Sequence, residues 1–250
     1  MAIIAATGII LLLTILNIQA SSDTLWTAKY IDAAKKKEAA YYEAASACKS
    51  ILPYIKSGCS DKMTAADFCS ALSQIQSLSS SKIDTGTSKI SIEIYDAESR
   101  FPINSCTDDI HIGMLARLLD NIGMDSSYAG AVADWIDSDS DPRAGGSESS
   151  YYGRNAKNAP LDSIDELKHI YGIKEAIDSY SEIHEEGFEA LRLYLYAGPV
   201  KDDEMKKVNI NTASSAVIKS ISPELTDLDV SNIEAARPIE NWQDFLKVAG

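Results

Sequence analysis

Residues 1–18, MAIIAATGIILLLTILNI, are the part of the chain that decides its fold. They carry no charge, the first charged residue is Asp23, and no proline occurs before Pro53. A helix rises about 1.5 Å per residue, so an uninterrupted helix of about fifty residues would extend about 75 Å. Because about 20 apolar residues cross a bilayer, we predict that residues 1–22 are the transmembrane part of a long stem helix.

A cleaved secretory signal peptide is the competing interpretation of the same stretch. Such a peptide begins with basic residues, and none precedes the apolar run here. Residues 17–20 (NIQA) also fit a small-residue cleavage site poorly. We therefore favour the stem helix and keep the signal peptide as the alternative.

The net charge and the cysteine content limit which classes of function fit this sequence. The net charge of -14 argues against a general nucleic-acid-binding protein, because phosphate backbones are bound by clustered lysine and arginine. An even number of cysteines in an exported chain would permit two disulfide bonds, with three connectivities: Cys48, Cys59, Cys69 and Cys106. The spacing of the cysteines does not determine which of them pair, although Cys59 and Cys69 are near enough to close a short loop. The sequence contains no nucleophile elbow, P-loop or metalloprotease motif, so it makes no positive case for an enzyme.

The most specific polar cluster lies in residues 137–148 (DSDSDPRAGGSE). An EF-hand loop places carboxylates at its first, third and fifth positions and a bidentate glutamate at its twelfth. That is the spacing of the candidate calcium ligands, Asp137, Asp139, Asp141 and Glu148. Pro142 stands where an EF-hand needs glycine, so we expect a looser calcium loop. The alternative is an acidic, solvated turn that binds no metal.

Alternating and helical patterns indicate an α+β fold. Residues 90–94 (ISIEI) alternate apolar and polar side chains, which predicts a half-buried strand. Helical patterns follow from residue 107 on. Residues 163–166 (SIDE) have the pattern of a capping box, and a further helix is predicted over residues 182–196.

The last part of the chain resembles the helix-hairpin-helix of competence-type DNA receptors. The similarity lies in residues 208–214 (VNINTAS), 235–238 (AARP) and 242–246 (WQDFL). Those modules bind phosphate through the backbone amides of a glycine-rich hairpin. Here the corresponding residues 222–229 (SPELTDLD) contain no glycine and three acids. We therefore expect a related helical scaffold that binds no nucleic acid.

Six motifs together resemble, in order, those of the type II secretion pseudopilin K family, also called general secretion protein K. They are residues 100–104 (RFPIN), 133–137 (ADWID), 141–146 (DPRAGG), 148–152 (ESSYY), 157–163 (KNAPLDS) and 208–213 (VNINTA). The similarity covers the stem and nearly all of the rest of the chain. The ordered series is specific, whereas any one of these motifs alone would be a weak signal.

The resemblance implies an architecture: a pilin-like α+β head with a large inserted α-helical domain, which contains sterile-alpha-motif-like (SAM-like) repeats and binds calcium. It divides the chain into a transmembrane part (1–22), a periplasmic stem helix with the first part of the head (23–106), the inserted domain (107–205) and a second SAM-like segment that returns to the head (206–250). Family members also begin with a prepilin leader and continue past Gly250. We therefore expect a chain that lacks its leader and is truncated at its C-terminus.

The function that the resemblance implies is structural rather than enzymatic. A pseudopilin K caps the tip of the type II secretion pseudopilus together with the minor pseudopilins I and J, and is anchored in the bacterial inner membrane with a periplasmic head. Most pilins carry a glutamate at the fifth mature position and K-type subunits lack it, which agrees with the absence of acids before Asp23. The alternatives are a minor or tip subunit of another type IV-like pilus and a membrane-tethered helix-hairpin-helix DNA-uptake protein.

Overall fold

The computed structural model describes most of the chain. The described ranges are residues 2–58, 63–79, 83–85, 89–149, 156–183, 188–198 and 206–249, with side chains from Thr24 on except at 78–79, 83 and 180–183. The chain divides into two compact units. One comprises Met1–Cys59 with Ile75–Glu93, and the other comprises Ser60–Gln74 with Ile94–Gly250.

The first unit is dominated by helix α1, Ala2–Gly58, so the predicted long stem helix is present. At about 1.5 Å per residue its 57 residues extend about 86 Å. Pro53 lies inside its last turns and does not end it. Among the residues whose side chains are described, no helix is both long and apolar enough to cross a membrane. The predicted transmembrane part, residues 1–22, lies outside those residues.

A short antiparallel hairpin completes the first unit. Strand β1, Ile83–Asp84, pairs with β2, Lys89–Ile90, and the Thr85 hydroxyl donates a hydrogen bond to Glu43 of α1 at 2.9 Å. The strand predicted over residues 90–94 is therefore confirmed only at its start. The alternation of exposed and less exposed side chains continues to residue 94, but no ladder bonds accompany it in the described part of the chain.

The second unit is mainly helical, in agreement with an α+β class that has few strands. Parallel strands β3, Phe101–Pro102, and β4, Leu195–Tyr196, pair within it. Its helices, in chain order, are α2 Ala65–Ser79 (which ends in the first unit), α3 Asp109–Asn121, α4 Tyr128–Ile136, α5 Ile173–Ile183, α6 Phe188–Leu191, α7 Ser215–Ile221, α8 Asp227–Ala235 and α9 Trp242–Val248. Short 3₁₀ turns occupy Ala97–Ser99, Ile103–Ser105 and Ile164–His169.

The core of this unit lies around α3, which packs against α4 and α7. Leu118 of α3 and Ile218 of α7 are fully buried. Arg117 donates a hydrogen bond to the Ser220 carbonyl at 2.8 Å, which satisfies a free carbonyl at the end of α7. Both predicted boundaries of an inserted helical domain, at residues 106/107 and 205/206, fall inside this one compact unit.

The helix predicted over residues 182–196 is wrong. Helix α5 ends at Ile183, α6 covers only Phe188–Leu191, and β4 follows; residues 184–187, which include His184, lie outside the described part. The apolar pattern of residues 182–196 did not predict the strand at its end, because β4 pairs with β3, which lies far away along the chain. The Phe101 N–H donates to the Tyr194 carbonyl at 2.8 Å.

Two local expectations can also be compared with the structure. The pattern SIDE at residues 163–166 opens a 3₁₀ turn, in which the Ser163 hydroxyl accepts from the Asp165 N–H at 3.2 Å. Cys48, Cys69 and Cys106 are free thiols, so no disulfide joins the cysteines that the structure describes. Cys59 lies outside the described residues, and its pairing stays a prediction.

Candidate metal centre

Helix α4 supplies the base of the acidic loop. All its residues from 129 to 136 are buried, so its C-terminal end is held rigidly in the core. The Asp137 N–H still bonds to the Ala133 carbonyl at 2.9 Å, while the Asp137 backbone is already extended. Asp137 is therefore the point at which a fixed helix changes into the loop.

Glycines allow the returning loop to lie directly on α4. A Cβ atom on Gly130 would approach the Ala144 carbonyl oxygen to 2.4 Å, and one on Gly146 would lie 2.0 Å from Oδ2 of Asp134. Gly145 has a φ of +79°, which side chains rarely adopt. The sequence AGG is thus required by backbone contact between the loop and the helix.

An ion pair between a buried aspartate and a half-buried arginine connects the loop to the helix. Asp134 is fully buried, and its carboxylate accepts hydrogen bonds from the Arg143 backbone N–H at 3.1 Å and from Arg143 Nη1 at 3.2 Å. Arg143 Nη1 also bonds to Asp137. Burial raises the pKa of Asp134, and the Arg143 hydrogen bonds offset part of that increase. Asp134 and Arg143 were not among the predicted site residues, and their role depends on tertiary contact.

Three of the four predicted calcium ligands lie close together. Carboxylate oxygens of Asp137, Asp139 and Glu148 lie within 4.8 Å of one another. Glu148 is only 5% exposed, and neither of its carboxylate oxygens has a hydrogen-bond partner of good geometry. Burial, together with the charges of Asp134 and Asp137, raises the pKa of Glu148, and the Ser149 N–H offsets only part of this rise.

A proton or a cation would relieve the repulsion between the carboxylates of the cluster, to which Arg143 already contributes one positive charge beside Asp137. Two carboxylates about 5 Å apart repel one another by about 3 kcal/mol at an effective dielectric constant of about 20. Oδ1 of Asp137 is buried and has no hydrogen-bond partner either. A site that offers only hard carboxylate oxygens suits a hard divalent cation such as calcium better than a transition metal.

Asp141 lies outside the group of three carboxylates, and its role as a metal ligand stays a prediction. It is exposed, and its backbone N–H donates to Oδ1 of Asp139 at 2.9 Å, which forms a local turn. Pro142 prevents the glycine turn of an EF-hand and restricts the conformation of the residue before it.

Asn158 is a contact of the loop that the sequence analysis did not identify. Its amide nitrogen donates to the Asp139 carbonyl at 3.1 Å. Its Oδ1 is buried without a hydrogen-bond partner, and its φ of +46° is unusual for a side-chain-bearing residue. This asparagine lies in the KNAP motif, which was the only sequence signal for it.

In the segment that resembles a helix-hairpin-helix, the backbone amides of interest are those at the start of its second helix, α8. Helix α7 precedes the acidic stretch 222–229, whose last three residues begin α8, and two backbone N–H groups at the start of α8 are bonded to side chains of the chain itself. The Asp229 N–H donates to the Thr226 hydroxyl at 3.3 Å, and the Thr226 N–H donates to the Asp229 carboxylate at 2.8 Å. These two amides are therefore hydrogen-bonded within the chain, and the absence of nucleic-acid binding stays a prediction.

Comparisons with known proteins connect this site to a family. Residues 99–180, which include the acidic loop, match the sequence model of type II secretion system (T2SS) protein K. The type II secretion system protein K of Klebsiella pneumoniae is 28% identical over 171 residues, which cover 60% of this chain and 48% of that protein. Residues 99–180 therefore resemble the type II secretion protein K family in sequence. The chain spans about half the length of the curated relative that it matches.

The chain is also similar to a solved structure. It is the crystal structure of the GspK-GspI-GspJ complex from the enterotoxigenic Escherichia coli type 2 secretion system. The similarity has a TM-score of 0.46 at 16% sequence identity, and it covers 82% of this chain and 77% of that chain. The family resemblance inferred from the six sequence motifs is thus confirmed by the matches of residues 99–180 and of the Klebsiella protein.

Proposed function

We propose that this chain is a minor pseudopilin that caps the tip of a type II secretion pseudopilus and supports protein export across the outer membrane. Its partners in this proposal are the minor pseudopilins I and J, and its role is contact between proteins, without catalysis. The observation that carries the proposal is the protein K domain at residues 99–180. The helices that follow α3 supply the SAM-like repeats in this proposal.

The stem supports a position at the end of a filament. In the proposal, the uncharged start of α1 anchors the subunit as a single pass in the inner membrane, with the second unit in the periplasm. A carboxylate within lipid is costly unless it is paired, and the first acid of this chain is Asp23. The stem therefore offers no carboxylate, at membrane depth, for a contact with a further subunit, which favours binding on one side only.

The test is assembly of the full-length chain in detergent with pseudopilins I and J of the same organism. Multi-angle light scattering should give a complex of one copy of each, and the chain alone should be monomeric. The mixture of I and J without this chain is the control. Extended homopolymers of this chain would contradict a tip position and would favour a shaft-forming pilin.

We extend the proposal to a calcium ion in the acidic loop. Asp137, Asp139 and Glu148 supply the carboxylates, and backbone carbonyls or water would complete the six to eight oxygens that calcium takes. When bound, the ion would neutralise charges that the loop otherwise brings together. Its effect would be to stiffen the loop on α4.

A further inference from the structure

Two large aromatic side chains stand exposed on the stem helix just after its first charged residue. Trp26 is 70% exposed and Tyr30 is 77% exposed. They are four residues apart, so they lie one helical turn apart on the same face of α1. Lys29 lies beside them, with Nζ 5.5 Å from the centroid of the Trp26 ring.

The position of this pair along the helix corresponds to the surface of a bilayer. Residues 1–22 are free of charge and extend about 33 Å as a helix, close to the thickness of about 30 Å of the hydrocarbon core. Trp26 then lies about 6 Å beyond the core, in the headgroup layer. Tyr30 lies about one turn further, and its side chain leans toward the N-terminus of the helix, hence toward the membrane.

The character of α1 changes immediately after the aromatic pair. Asp32 and Lys36 form an exposed ion pair at 2.8 Å, and residues 35–38 (KKKE) are exposed. Such mixed charge is typical of a helix face in water. The aromatic pair therefore lies between an uncharged segment and a fully hydrated one, which is where tryptophan and tyrosine are enriched in membrane helices.

We propose that Trp26, Lys29 and Tyr30 form an interfacial anchor that binds the phospholipid headgroup layer and fixes how far the stem is inserted. The indole and phenol rings contact the boundary between acyl chains and headgroups, and the Lys29 ammonium lies among the lipid phosphates. The inference rests on the proposed membrane anchoring of the stem and names the residues that determine its depth.

The test uses the full-length chain in phosphatidylcholine–phosphatidylglycerol vesicles. One series of vesicles carries bromine near the headgroup end of the acyl chains, another at the middle and a third at the methyl end. Flotation on a density gradient first reports whether the chain binds the membrane. Tryptophan emission should then be quenched most by bromine near the headgroups. Trp26→Phe should lose most of that quenching, whereas the matched control Trp242→Phe, an exposed tryptophan of α9, should keep it.

The possible outcomes distinguish a failure of membrane binding from a failure of the proposed interfacial anchor. A chain that does not float with vesicles overturns the membrane proposal and the anchor together. A chain that floats, but whose quenching is unchanged in Trp26→Phe, overturns the anchor alone and indicates that this face packs against protein. Strongest quenching by bromine at the methyl end also overturns it, since Trp26 would then lie inside the hydrocarbon core.

Discussion

Replacing Glu148 by glutamine should change the stability of the protein in opposite directions with and without calcium. Glutamine keeps the size of the side chain and removes its charge. Without metal, Glu148 is a buried carboxylate beside the negative charges of Asp134 and Asp137, and the Ser149 N–H offsets only part of the resulting rise in its pKa. In chelator, Glu148→Gln should therefore be at least as stable as the wild type.

With calcium, the order should reverse. Binding to the folded state alone stabilises it by about 2.7 kcal/mol at a hundredfold excess over the dissociation constant. For a chain of this size, 1 kcal/mol shifts the melting temperature by about 2–4 °C, so calcium should raise that of the wild type by about 5–10 °C. Glu148→Gln should lose most of this increase, and Asp139→Ala should lose most of it as well.

The assay is thermal unfolding of the full chain, followed by circular dichroism, in calcium and in chelator. Asp141→Asn is the matched control, because Asp141 is in the same loop but outside the carboxylate cluster. It should keep the full calcium-dependent increase. A wild-type melting temperature that is indifferent to chelator would refute calcium binding. An Asp141→Asn variant as defective as Glu148→Gln would instead support a true EF-hand loop.

Three further predictions concern stability. Gly146→Ala should destabilise the protein by about 1–3 kcal/mol, because its Cβ would lie 2.0 Å from a buried carboxylate oxygen. Gly113→Ala, inside α3 and only in ordinary contact with the flexible end of Arg117, should stabilise it by about 0.5–1 kcal/mol in urea unfolding. Asp108→Ala should destabilise the protein at neutral pH through loss of the α3 N-cap, and the difference from wild type should fade in acid.

The sign of the last prediction follows from the pKa of Asp108. Burial tends to raise it, but hydrogen bonds from the backbone and side chain of His111 hold it below its ordinary value of 3.8. A carboxylate with a lowered pKa contributes stability above its unfolded value, and this contribution is lost as the pH falls through the folded value. A difference in stability between the wild type and Asp108→Ala that does not change with pH would contradict this account. For the glycines, equal effects of the two substitutions would show that the close approach of the loop to α4 is not required.

Local patterns in the sequence predicted those elements that depend on neighbours along the chain. The stem helix, for example, follows from an uninterrupted apolar run with no proline before Pro53. The stretch 182–196 failed because β4 is determined by pairing with β3, more than ninety residues earlier in the chain. Periodicity within a short window contains no information about such a partner.

The candidate site shows the same division between local and distant determinants. Spacing alone was sufficient to bring Asp137, Asp139 and Glu148 into one set. It did not indicate that Asp141 would lie outside this group. The ion pair of buried Asp134 with half-buried Arg143 was not foreseeable from spacing, since an acidic residue within a helix is ordinarily exposed. Only packing of the loop on α4 makes that pair necessary.

The end of α4 at Asp137 has an electrostatic consequence for the loop. The aligned peptide dipoles of a helix place a partial negative charge of about half an elementary charge at its C-terminus. At α4 this partial charge coincides with the carboxylates, so the helix itself disfavours the metal-free loop and favours a cation there. Removal of the proposed calcium ion should therefore loosen the final turn of α4 before the core beneath it. Hydrogen exchange should show this as faster exchange at the Asp137 amide, which closes that turn, with Leu118 in α3 still protected.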